Sequence, residues 1–515
     1  MILVWLVLLN GLLLFPAMAL PGEGPLLALE TLLVWAMLCR LQNRFLRYRI
    51  TLALAISYGL LAFLVLADAL VRESLGRGLN LYLEVGLVDA SWNLLNTNLG
   101  PTLAVIALAL LLVSLVGLSW FFRFVLEQLK HHSPALPAKP LWLMAAIATA
   151  ALATPWVGSP ALAFVANQAS LISHTHQTSR AFRQQLDQRA ETASQPRPLA
   201  RLGNTDVIIG FIESYGISTI TDDRYRPVVS KSLDIMADEL ASAGLTVVTG
   251  RLQSPIQGGQ SWLGHLSVLS GQWIENQLAY ETFLSSGYST LIDDFRSTGH
   301  GSVAVMPAIT QPWPQGRLFR YDRIYDHDDL GYQGPPFNWV TMPDQYTWHR
   351  VQQIRSQHQR PLFAELALIS SHAPWVPILP VLDDWESIGD GRVFNRWEGS
   401  GEEPVSLWRD PDRVREHFAK AIAYSLETAA GFASRYLGDN TLLIVLGDHQ
   451  PAPLITGEDA SRDVIVHIIS ADPALAETFL AGELPGFRRG TRPGLQTAGA
   501  RMSEFRPFLH RYFGN

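Results

Sequence analysis

Before about residue 165 the chain is built from apolar runs of roughly 17 to 25 residues, and after about residue 203 it is not. A helix needs a run of that length to cross the hydrocarbon core of a bilayer. Backbone polar groups in such a core must be satisfied within the segment, so this part is confined to helices. Five spans are predicted, near 2–19, 26–42, 50–71, 102–125 and 140–165. The composition agrees, since 48% of the 515 residues are hydrophobic and only 17% are charged, too apolar for a water-soluble chain of this length.

The basic residues predict an orientation. The turn between the second and third runs, with its edges, carries Arg40, Arg44, Arg47 and Arg49, and that between the fourth and fifth carries Arg123, Lys130 and Lys139. Both turns are expected on the cytoplasmic side. With the N-terminus inside, five crossings place everything after the last span outside. The first run is either an anchor or a cleaved signal, because Ala17-Met-Ala19 resembles a processing site. Its start lacks the usual positive charge, which favours the anchor. Residues 72–100 are expected to lie in the outer interface.

The only cysteine, Cys39, lies in the second run, so no intramolecular disulfide can form. The exported part must be held by its own core. A net charge of −7 and the lack of a basic tract argue against nucleic acid as a partner.

Residues 166–202 are polar, carry a weak helical pattern and end in Gln195-Pro-Arg-Pro198, the composition of a linker with a stop signal. From 203 to 515 short apolar runs alternate with longer amphipathic segments. Strands are predicted near 206–212, 246–249, 303–306, 362–369, 441–446 and 464–469. Val414, Phe418, Ile422, Leu426 and Ala429 mark the apolar stripe of a helix. The fold expected is therefore a multi-span α-helical membrane domain (1–165), a linker (166–202) and an α/β domain (203–515) with a central, largely parallel sheet.

In such sheets ligands collect at the carboxyl ends of strands. Glu213 ends the first predicted strand, and Asp448-His449 ends the fifth. Gly258-Gly-Gln-Ser261 makes a turn that presents a hydroxyl at a helix start. Carboxylates, imidazole and hydroxyl together suit a divalent cation that activates an oxygen nucleophile. Each has a plainer reading: Ser261 as an N-cap, Glu213 as a surface acid, Asp448-His449 as a turn. Their occurrence together in one domain favours the chemical one.

The apolar N-terminal part followed by Phe211-Ile-Glu213-Ser214, Gly258-Gly-Gln-Ser261-Trp262 and Gly447-Asp448-His449-Gln450 resembles the lipoteichoic acid synthase-like branch of the alkaline phosphatase and sulfatase superfamily, over nearly the whole chain. The resemblance implies that Glu213, Ser261, Asp448 and His449 bind one divalent cation, manganese or magnesium before zinc. It implies a catalytic serine, Ser261, that takes a phosphoryl-linked head group from a membrane phospholipid through a covalent phosphoserine and passes it to an envelope glycan or glycolipid. It further implies a bacterial inner-membrane, multi-pass protein with its catalytic domain facing the periplasm or exterior. A metal-dependent phosphodiesterase or phosphatase, and a non-catalytic envelope scaffold, are the alternatives.

The family nucleophile is usually threonine, whereas this chain has serine. Ser261-Trp-Leu-Gly-His265 lacks the proline and arginine needed to convert a sulfatase nucleophile to formylglycine. The absence of disulfides tilts the expectation towards phosphoglycerol over phosphoethanolamine. The resemblance also implies substrate contacts at His372, Trp313 and Arg317. Arg320 and Arg323 compete with Arg317 for a phosphate, and His372 has the alternative of a satisfied loop histidine. His265, one helical turn after Ser261, either steadies the site or packs.

Overall fold

The computed structural model describes residues 1–19, 24–85, 88–133 and 154–514. The chain packs as two units, Met1–Glu73 with Arg77–Arg180, and Ser74–Gly76 with Ala181–Asn515.

The first unit is helical: α1 (Ile2–Leu14), α2 (Leu29–Arg40), α3 (Arg44–Leu75), α4 (Val88–His132) and the start of α5 (Pro160–Ala193). Among the described residues, three stretches are long and apolar enough to cross a membrane: Ile2–Ala19, Arg44–Leu75 and Leu99–His132. They cover the first, third and fourth predicted spans. The predicted span at 26–42 is instead the 12-residue α2, which starts after extended Ala28 and stops at extended Leu41. That is well short of the roughly 20 residues a crossing needs. The predicted span at 140–165 lies largely outside the described residues. Its described end is a turn, a short strand Val157–Gly158 and the beginning of α5. The segment predicted as a linker, 166–202, is occupied mostly by α5. Helix α4 breaks at Gly100, which has φ 74 and precedes Pro101, where the missing N–H and the ring end the ladder. Leu110, Val113, Val116 and Trp120 of α4 are 62–69% exposed, as a helix surrounded by hydrocarbon requires.

The second unit is built on strands β1 (Asp206–Ile212), β2 (Thr246–Gln253), β3 (Gly301–Val305), β4 (Arg323–Tyr325), β5 (Leu362–Leu368), β6 (Thr441–Gly447), β7 (Asp463–Ser470), β8 (Arg488–Arg489) and β9 (Ala500–Arg501). They form one sheet in the order β8-β2-β7-β6-β1-β5-β3-β4, with β9 also on β2. All the predicted strands are present. The centre is parallel: β1 pairs with β5 and β6, and β3 with β5 and β4. Strand β7 runs antiparallel to both β6 and β2, so the sheet is mixed at that side.

Alternation along β1 splits the core. Ile208 and Ile212 join one apolar cluster, which includes Phe418 and Ile422 of helix α6 (Pro411–Tyr436). Val207, Ile209 and Phe211 join the other, with Leu263, Leu266 and Leu269 of helix α7 (Ser261–Ser270). Side chains at alternate positions face opposite sides of a sheet, so β1 is held by helices on both. Its carboxyl end is thereby fixed between β5 and β6.

Candidate metal centre

The parallel register brings the two predicted acid sites side by side. Ile212 pairs with Gly447, and the next residues, Glu213 and Asp448, leave the sheet together. The Asp448 amide still donates to the Ile212 carbonyl (3.3 Å) and the Glu213 amide to that of Leu368 (3.0 Å). Ser214 has φ 61, a left-handed conformation that non-glycine residues adopt at a cost. This turns its amide onto Asp448 Oδ1 (2.8 Å) and its hydroxyl onto Glu213 Oε1 (3.0 Å).

Helix α7 delivers Ser261 from the other side. Gln260, also left-handed at φ 64, is its N-cap, so Ser261 is the first helical residue. The capping reading of Ser261 does not hold. Its Oγ instead donates to Glu213 Oε2 (3.1 Å) and lies 3.3 Å from His449 Nε2. The close approach of α7 depends on Gly264, where a Cβ would stand 2.7 Å from the Asp448 carbonyl oxygen.

Glu213, Asp448 and His449 offer ligand atoms that all lie within 4.8 Å of one another. His449 Nε2 is 3.2 Å from Glu213 Oε1 and 3.6 Å from Asp448 Oδ2. Its Nδ1 faces the Gln450 carbonyl at 2.8 Å. A proton on Nδ1 is therefore satisfied, which leaves the Nε2 lone pair aimed into the cluster, as metal-binding imidazoles require. His449 and Asp448 are buried, and Ser371 Oγ steadies the Glu213 backbone carbonyl at 2.6 Å.

Charge in this cluster is unbalanced. Burial acts to raise the Glu213 pKa, but the charge and hydrogen bond of His449 outweigh it and hold Glu213 well below the usual carboxylate range. Asp448, buried and facing the Glu213 charge, is pushed up to about 6. Burial acts to lower His449, yet Asp448 and Glu213 reverse this and carry it to about 9. Two carboxylates thus share one imidazolium. A divalent cation would replace that proton with a larger charge, and the two carboxylates, imidazole and hydroxyl fit one.

The expected substrate contacts are placed differently. His372 follows β5, is exposed and lies 6.1 Å ring to ring from Trp339. Trp313 is half-buried, packed 5.4 Å from Phe319, and Arg317 is exposed in the following turn. Neither has a hydrogen bond or ion pair to the cluster among the described residues. Arg320 is committed to Asp293 and Arg323 to Asp329, so Arg317 is the arginine of the three with no ion pair among the described residues. His265 does more than pack: its Nδ1 is 2.8 Å from Glu365 Oε1. Sequence reasoning missed Glu365, although a single acid inside the apolar run Leu362–Leu368 was a visible signal.

No family model and no curated protein matches the chain. Solved structures do. The lipoteichoic acid synthase LtaP of Listeria monocytogenes is similar at 12% identity and TM-score 0.37, over 61% of this chain and 76% of that one. The Streptococcus pyogenes phosphoglycerol transferase GacH, in complex with sn-glycerol-1-phosphate, matches at 13% identity and TM-score 0.40, over 65% and 81%. The lipooligosaccharide phosphoethanolamine transferase EptA of Neisseria meningitidis matches at 9% identity and TM-score 0.36, over 78% and 74%. At this level of overlap the chemistry rests on the side chains described above.

Proposed function

We propose that this chain is a membrane-anchored, metal-dependent phosphotransferase of the lipoteichoic acid synthase-like kind. It moves a phosphoryl-linked head group, phosphoglycerol by preference, from a membrane phospholipid to an envelope glycan or glycolipid. The observation that carries this reading is the orientation of Ser261: its hydroxyl points at Glu213 Oε2 and His449 Nε2 instead of capping its helix. The solved structures named above include transferases of both head groups.

Glu213, Asp448, His449 and Ser261 would hold one divalent ion, with manganese or magnesium favoured over zinc by the oxygen-rich set. That ion would supply Lewis-acid stabilisation of the serine oxygen and of phosphate charge. The residues do the rest. Ser261 Oγ attacks the lipid phosphorus; an Oγ–P bond forms and the P–O bond to diacylglycerol breaks. The serine proton, hydrogen-bonded to Glu213 Oε2, ends on the departing diacylglycerol oxygen. Ser261 is the first residue of α7, and the partial positive charge of a helix amino terminus favours a phosphate there. An acceptor hydroxyl then attacks the same phosphorus in a second in-line step: its O–P bond forms, the Oγ–P bond breaks, and its proton ends on the Ser261 oxygen. His372 and Arg317 are assigned to the phosphate and head group, Trp313 to the head group. The membrane part reaches about residue 165 in the bacterial inner membrane, and residues 203–515 form the catalytic domain on its outer face.

Full-length protein with labelled phosphatidylglycerol vesicles and Mn2+ tests this. Release of diacylglycerol with label passing to an added glucan is expected, and none with Ser261→Ala or after chelation. Label released as free glycerol phosphate, independent of any acceptor, would make the enzyme a phosphodiesterase. Full activity in the alanine variant would overturn the site.

A further inference from the structure

Glu365 sits in the middle of β5, paired with Ile209 of β1 on one side and Ala304 of β3 on the other, and is 2% exposed. A buried carboxylate in a sheet is costly unless its oxygens are fully engaged. Both are engaged, by residues from separate parts of the chain. Oε1 lies 2.8 Å from His265 Nδ1, and Oε2 accepts from the Tyr321 hydroxyl. No lysine or arginine touches it among the described residues.

The two partners belong to the two halves of the proposed site. His265 is one turn after Ser261 on α7, and its ring stacks on Phe211 at 3.7 Å and 16°, two residues before Glu213. Tyr321 directly follows the turn Pro314–Phe319 and Arg320, which carry Arg317 and follow Trp313. The Tyr321 ring also stacks 6.1 Å from Phe319, which in turn meets Trp313 at 5.4 Å. Arg320 pins the same turn through Asp293 and the Tyr288 carbonyl. One carboxylate on the central sheet therefore joins the nucleophile helix to the segment assigned to the head group.

We infer that Glu365 is a positioning residue that couples the placement of Ser261 to that of the Trp313–Arg317 segment through His265 and Tyr321. It touches neither metal nor substrate. The catalytic part of this inference rests on the function proposed above; the mechanical part does not.

The test reads one end of the relay after a change at the other, in the full chain. Tyr321→Phe keeps the ring and removes only the hydroxyl. Amide exchange in residues 261–270 is expected to speed up roughly tenfold, with residues 441–447 unchanged. His265→Gln is expected to do the same to residues 313–321. Exchange that changes only around the substituted residue in both variants would overturn the coupling and leave Glu365 a packing feature. With phosphatidylglycerol and Mn2+, Glu365→Leu is expected to lower kcat roughly 100-fold, the scale of a misplacement near 1 Å, with metal content unchanged. Glu365→Gln, which can still bridge both partners, should recover most of it. If the wild-type chain turns over no lipid, the proposed function fails while the exchange measurements still decide the relay.

Discussion

Two buried clusters in the second unit combine a carboxylate with histidine and come to opposite ends. Asp294, fully buried, takes Arg506 through both oxygens (Nε to Oδ2 2.7 Å, Nη2 to Oδ1 3.0 Å), His510 Nε2 at 2.7 Å and the Arg197 amide at 2.8 Å. Burial acts to raise its pKa, but the bonds from His510 and Arg506 outweigh that and hold it below the ordinary value. The charge is closed by a cation that cannot leave. The Glu213–Asp448–His449 cluster has two carboxylates, an imidazole and a hydroxyl, and no lysine or arginine bonded to them among the described residues. The cation it shares is the His449 imidazolium, whose proton, unlike a guanidinium, can be exchanged. A fixed guanidinium makes a clamp, and a carboxylate pair held by one exchangeable proton is the proposed binding site.

The largest expected effect is on chemistry. Ser261→Ala should lower diacylglycerol release by at least roughly 10³-fold, whereas Arg506→Ala, assayed below its unfolding temperature, should leave the rate per folded molecule within a few-fold. Equal losses in both would remove the distinction between site and clamp. Next comes metal: Asp448→Asn is expected to abolish bound manganese by elemental analysis, and Arg506→Ala to leave it intact.

Stability should then separate the clusters by sign. Arg506→Ala strands a buried aspartate and should cost about 3–5 kcal/mol in denaturant unfolding. In chelator-treated protein, Asp448→Asn removes one of two facing carboxylates and should raise stability or leave it unchanged. A comparable loss in both would mean that Asp448 is already neutralised.

The most gradual effect is in pH. The Asp294 pKa is depressed, so its contribution is present above about pH 4, its unfolded value, and lost as pH falls through the folded one. His449 is raised to about 9 in the metal-free protein, so its contribution is present below its unfolded value of about 6.5 and lost as pH rises through about 9. Manganese must displace that proton. Its affinity should therefore rise by up to about tenfold per pH unit between about 6.5 and 9 by calorimetry, and a flat profile would exclude His449 Nε2 as a ligand.

Much of this was legible because the signals are local. An apolar run ending in Glu213 or in Asp448-His449 announces a strand tip, and two glycines before Ser261 announce a turn into a helix. Parallel register then does the assembly without further instruction. What stayed hidden depends on distance. Asp294 meets Arg506 across 212 residues, and Glu365 gains its meaning only from His265 and Tyr321. Strand direction was also hidden, since the apolar runs of β2 and β7 say nothing of their antiparallel pairing. The span predicted at 26–42 is a 12-residue helix because the chain is extended at Ala28 before it and at Leu41 after it, local stops at both ends of an apolar stretch. The choice among Arg317, Arg320 and Arg323 needed Asp293 and Asp329 in place.

The most direct test is intact mass of the full-length protein after incubation with phosphatidylglycerol vesicles and manganese, followed by peptide mapping. A glycerophosphate adduct on Ser261, lost with chelator and absent in Asp448→Asn, is the result expected. Diacylglycerol released at an undiminished rate by Ser261→Ala, or an adduct on any other residue, would contradict it.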